Sequence, residues 1–99
     1  MPVLHIDLQE GFDRDAVQVR VNGQQVFDKD TISTRMQIGL ADRIQTDVPA
    51  GTTNVEVVVP TKHTSTVIPI QIDSEIYLGV SIEERSIVHR INNSPFHYM

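Results

Sequence analysis

The chain has no cysteine and no tryptophan, and its five glycines and five prolines occur singly along it. Without cysteine there is no disulfide framework, no thiolate zinc site and no cysteine nucleophile, so packing alone must hold the fold. The dispersed glycines leave no phosphate-cradling loop, and none of Ser65, Ser74, Ser81 or Ser86 sits in a Gly-x-Ser-x-Gly elbow. A basic cluster is also missing. The net charge of −5 divides into −3 over residues 1–50 and −2 over the rest, which argues against a nucleic-acid partner. No apolar run approaches the roughly 20 residues that span a bilayer. Residues 1–7 lack the basic start and apolar run of a secretory leader. The expectation is a cytoplasmic protein with no membrane span, although a secreted chain freed of its leader would read the same way.

What is present is valine and isoleucine, branched at Cβ and suited to a pleated surface. Apolar residues recur at every second position in nine short bouts: 3–9, 16–22, 24–29, 35–40, 44–48, 54–60, 64–73, 75–83 and 86–92. Gly, Pro, Asn, Asp and Thr clusters separate them. This pattern predicts an all-β domain, an antiparallel sandwich of seven to nine short strands, with a small barrel as the alternative. Only residues 34–43 admit a helical turn. Ninety-nine residues suffice for one core. We assign 1–93 to a single domain and 94–99 to a tail.

Asn22-Gly23 tolerates the positive φ values of a type I′ turn, so Val17–Val21 and Gln24–Phe27 form a tight hairpin. That register sets Val19 opposite Val26 and puts Val17, Val19, Val21 and Val26 on the buried face. Phe27 then falls on the opposite face with Gln18 and Arg20, either covered by the 29–34 connection or exposed as a partner anchor. A second hairpin is expected at Glu83–Ser86, bringing Val80 and Ile82 near Ile87 and His89. Val55–Val59, the most apolar strand, should be central. Pro69 lacks a ladder donor and marks its strand as an edge or a bulge.

Glu10, Asp13 and Asp15 offer three carboxylates within one loop, the least that Ca²⁺ would require. Arg14 intrudes among them and no closing bidentate Glu follows, so turn-forming roles for Asp13 and Asp15 fit better, with Phe12 plugging the core. His5, His63, His89 and His97 lack the paired spacing of a single-element metal site. His89 reads as half-buried between Ile87 and Ile91, and His5 and His63 as surface residues. Glu83-Glu84 reads as a solvated hairpin tip. No catalytic residue, metal ligand or cofactor is expected.

The last residues, Phe96, Tyr98 and Met99, are large and apolar or aromatic, unlike a frayed tail. They are expected to dock on their own domain or on a neighbour. Phe27, Phe96, Tyr98 and Met99 are therefore the candidate interaction residues.

Val-Arg-Val-Asn-Gly-Gln-Gln-Val from Val19 to Val26, with Val-Pro-Ala-Gly-Thr-Thr-Asn-Val-Glu-Val from Val48 to Val57, resembles small bacterial sandwich modules of the PEGA and carboxypeptidase-regulatory type. The likeness covers under half the chain, and Pro60-Thr-Lys-His stands where those modules carry an aromatic Gly-Tyr pair. It implies an immunoglobulin- or prealbumin-like fold used for scaffolding, with no catalytic residues. The expected function is a non-enzymatic interaction or assembly module, self-associating or bound to another protein. A carbohydrate- or small-ligand-binding module is the alternative, and an enzyme whose site converges only in three dimensions is the third reading.

Overall fold

The computed structural model describes residues 1–98 as eight strands and one short 3₁₀ turn. The strands are β1 (Val3–Leu8), β2 (Asp15–Val21), β3 (Gln24–Ile32), β4 (Asp42–Asp47), β5 (Gly51–Val59), β6 (Thr64–Ile72), β7 (Ile76–Glu83) and β8 (Ser86–Asn92). They form two four-stranded sheets, ordered β4-β1-β7-β8 and β3-β2-β5-β6. The fold is the expected all-β sandwich, and its sheets do not close into a barrel. Alternation explains the core: Leu4, Ile6 and Leu8 of β1 and Leu78 and Val80 of β7 face inward, against Val17, Val19, Val55, Val57 and Val59 of the second sheet. Each fully buried aliphatic side chain contributes about 1.5–3 kcal/mol relative to exposure.

One pairing departs from the antiparallel expectation. β1 runs parallel to β7, with Ile6 opposite Leu78, while β4 flanks its other side antiparallel, with Ile6 opposite Ile44. As expected, β5 is interior, and β6, carrying Pro69 opposite Asn54, is an edge. The second hairpin is also as read, with Glu83 opposite Ser86 and both Glu84 and Arg85 at positive φ.

Three local expectations are corrected. Residues 35–40 are not a strand. The Arg35 carbonyl accepts from the N–H groups of Ile38 and Gly39, making one helical turn bracketed by an isolated Arg35–Leu40 bridge. Met36 is left 91 % exposed, because no strand lies beside this segment to reward its alternation. The first hairpin carries a bulge: Val21 faces Gln24 and Arg20 faces Gln25, but Val19 faces Phe27. The extra residue, Val26, advances Phe27 by one position and flips it toward the core, where it packs half-buried with the Lys29 ammonium 5.5 Å above its ring. His89 is exposed rather than half-buried, because β8 is an edge strand at the rim of the sandwich.

The acidic loop serves the fold. Asp15 is buried and accepts from Lys62 Nζ at 2.8 Å, the Thr61 hydroxyl at 2.6 Å and the Asp13 N–H at 2.9 Å. Phe12 plugs the core as expected. Burial by itself raises the Asp15 carboxyl, but the Lys62, Thr61 and Asp13 hydrogen bonds outweigh it and hold the group below its ordinary value. A depressed carboxyl contributes stability that is fully present above its unfolded value, about 3.9, and is lost as pH falls through the folded value.

Two measurements follow from this architecture. In urea melts, Gly23→Val should cost about 1 kcal/mol or more through backbone strain alone, since φ is +84° and nothing lies near an added Cβ. Gly11→Ala should cost more, because φ is +89° and the new Cβ would collide with the Ile82 backbone carbonyl. In melts repeated from pH 7 to pH 3, the native chain should lose stability on the acid side more steeply than Asp15→Asn does.

Candidate functional site

On β1 the residues that alternate with the core set are His5 and Asp7, and Gln9 continues the same face just past the strand. A polar residue on an outer sheet face is normally solvated, yet Asp7 is 4 % and Gln9 3 % exposed. Register explains where they sit. Arg43 of β4 lies opposite Asp7, Asp7 opposite Gly79 of β7, and Gly79 opposite Arg90 of β8, a row crossing all four strands. In the neighbouring row, Gln45, His5, Tyr77 and Asn92 follow one another.

Gly79 is the low point of the first row. A Cβ there would stand 2.6 Å from the Gln9 side-chain oxygen, so the missing side chain lets the Gln9 amide lie against the sheet. The C-terminal segment crosses above it. Phe96 lies beneath the Arg90 guanidinium, 4.8 Å from ring centroid to Cζ, and Tyr98 beneath Arg43 at 5.6 Å. The Tyr98 hydroxyl donates to Asp7 Oδ2 and accepts from Gln9 Nε2 at 2.9 Å, while Arg43 Nε donates to Asp7 Oδ1 at 3.2 Å. Burial and then the Asp7 hydrogen bond push the Tyr98 phenol up from its ordinary value, partly offset by Gln9.

His5 is not the plain surface residue expected from the sequence. Its ring stacks on Tyr77 with centroids 4.3 Å apart, and Nε2 lies 2.6 Å from Glu75 Oε2. His5, Asp7, Arg43, Gln45, Tyr77 and Pro95 line a cleft of about 220 Å³ beside the seated tail. This is below the roughly 300–1,000 Å³ of drug-sized ligand sites. The cleft offers a flat aromatic wall, amide and guanidinium donors and one carboxylate already shared between Arg43 and Tyr98. Among the described residues, no three His, Asp or Glu side chains come together as a metal-binding set.

Of the four candidate interaction residues, Phe96 and Tyr98 meet on this face, docked on their own domain. Phe27 lies apart on the second sheet, and Met99 falls outside the described residues. Sequence reading missed Asp7, Gln9, Arg43, Gly79 and Arg90. Their alternation along β1, β4, β7 and β8 places them on the outer faces, but the row depends on pairings between distant segments. No family model, no curated protein and no solved structure matches the chain.

The cis-docked tail gives a direct expectation. Tyr98→Phe strands a buried Asp7 oxygen and should lower stability by about 1–3 kcal/mol at neutral pH. A raised phenol contributes stability that is full below its unfolded value, about 10, and is lost as pH rises through the folded one. The gap between the native and Tyr98→Phe melts should therefore close in strong alkali. Removing residues 95–99 should lower the urea midpoint while leaving the mass by light scattering unchanged.

Proposed function

We propose that this chain is a non-enzymatic β-sandwich assembly module that pairs with a second copy along the edge of β8. The observation that carries the reading is that, among the described residues, β8 is the edge strand that combines an unbroken register with no proline and a single charged side chain. β3 shifts register twice against β2 and bears Asp28, Lys29 and Asp30 in series. β4 bears Asp42, Arg43 and Asp47 within six residues, and β6 carries Pro69. Bulges, charges and prolines of this kind block edge-to-edge pairing.

β8 runs seven residues in unbroken register with β7, without Pro or Gly and with Arg90 as its one charged side chain. Its order is self-complementary. Antiparallel pairing about a two-fold axis at His89 sets Ile87 opposite Ile91 of the partner subunit and Val88 opposite Arg90 of the partner subunit. No like charges meet, and Ile91, 45 % exposed in the single chain, gains an apolar neighbour. Two sheets would fuse into one of eight strands. The scaffolding role implied by the resemblance to small sandwich modules agrees with this.

A small-ligand reading keeps one specific support, the convergence of His5, Asp7 and Arg43 at the 220 Å³ cleft.

Opposed residues in an antiparallel pair have Cα atoms about 4.5–5.5 Å apart, within disulfide reach. In a chain with no other cysteine, His89→Cys should cross-link into dimers on oxidation, and Val67→Cys, exposed on β6, should not. Ile91→Lys should weaken the dimer at least tenfold by analytical ultracentrifugation. A native chain that is monomeric at every concentration would rule out assembly. A dimer indifferent to both substitutions would keep assembly and remove β8 as its surface.

A further inference from the structure

We infer that the outer face of the β4-β1-β7-β8 sheet is a docking site for an extended segment bearing an aromatic residue and, two positions on, a tyrosine, and that residues 96–98 are its resident, displaceable occupant. The inference concerns a different surface from the β8 edge and does not depend on assembly.

The seat belongs to the sheet. Asp7 is fixed on β1 by the ladders on both sides and by Arg43, and Gln9 is fixed by the space above Gly79. Together they present one buried acceptor, Asp7 Oδ2, and one buried donor, Gln9 Nε2, converging on a single point. That pair is complementary to a hydroxyl, which donates once and accepts once. An ordinary apolar or charged side chain would leave one of the two unpaired at a cost. Arg43 and Arg90 stand at the two ends of the row and each covers an aromatic ring, so two rings separated by one residue are read together with the hydroxyl. The cation seats and the spacing select a peptide with two aromatic side chains over a lone hydroxyl compound.

The occupant is held differently from every strand. Among the described residues the backbone of 94–98 makes no hydrogen bond to the sheet, and side chains alone seat the segment. Phe96 and Tyr98 remain half-buried, and Asn93, Ser94 and Pro95 before them are exposed. Leaving the seat therefore breaks no ladder. The resident segment lowers the apparent affinity for an incoming one by the fraction of time the seat is free.

The test uses the full chain and a synthetic peptide of residues 94–99. Tyr98→Ala vacates the hydroxyl position without touching the sheet, and should bind the peptide at least tenfold more tightly than the native chain by calorimetry. A peptide with phenylalanine in place of its tyrosine should bind at least tenfold more weakly. Adding Gly79→Ala to Tyr98→Ala, whose new Cβ would press on the Gln9 side-chain amide, should abolish the gain while circular dichroism shows the sandwich intact. Absence of peptide binding by a folded Tyr98→Ala chain, equal binding by the native and Tyr98→Ala chains, or equal binding of the two peptides would each overturn the inference.

Discussion

β1 lies between β4 and β7, and its parallel ladder with β7 is the contact from which both faces of the first sheet take their chemistry. Inward, it aligns Leu4, Ile6 and Leu8 with Leu78 and Val80 to make one half of the core. Outward, the same register aligns Asp7 with Gly79 and His5 with Tyr77, so one set of hydrogen bonds positions core and candidate site together. A slip of one residue would send the aliphatics to water and the carboxylate to the core. The register of β1, and not any single side chain on it, is what couples the core to the outer-face row.

The chain uses its acids as structure. Asp15 accepts from Lys62 and Thr61, Asp42 pairs with Lys29, and Asp7 is shared between Arg43 and Tyr98. Burial would push the Asp15 and Asp42 carboxyls up, but their hydrogen-bond partners hold both below the usual range. These pairs tie segments that no ladder joins: Asp42 to β3, and Asp15 to the turn Pro60–Lys62. In a chain without disulfides, they are the cross-links available at the sandwich margins.

How much of this was legible follows the range of the physics involved. Period-two alternation and short turn signals are local, and they located eight of the nine strand segments, both tight hairpins, the central place of β5 and the edge place of β6. The segment 35–40 alternates just as well, but alternation records only a preference for a half-buried surface, and no strand lies beside it. Phe27 was misplaced because a bulge depends on packing against β2 and β4 and not on the Asn22-Gly23 turn that sets the hairpin's first two pairs. The outer-face row was illegible for a stronger reason. Arg43, Asp7, Gly79 and Arg90 come from four strands, and a glycine is important there for the side chain it does not have. The aromatic tail was visible, and its seat was not.

The parallel pair also orders events in time. Antiparallel neighbours such as β2 and β3, β5 and β6, or β7 and β8 are joined by short turns and can form as soon as both halves exist, whereas β1 must wait for β7, whose pairing closes most of the chain into one loop. Of the eight strands β1 is made before the other seven, and its apolar inner face stays without its parallel neighbour until nearly all of them have been made. The interval between those two moments is the period in which the nascent chain is most exposed to sticking and to chaperones.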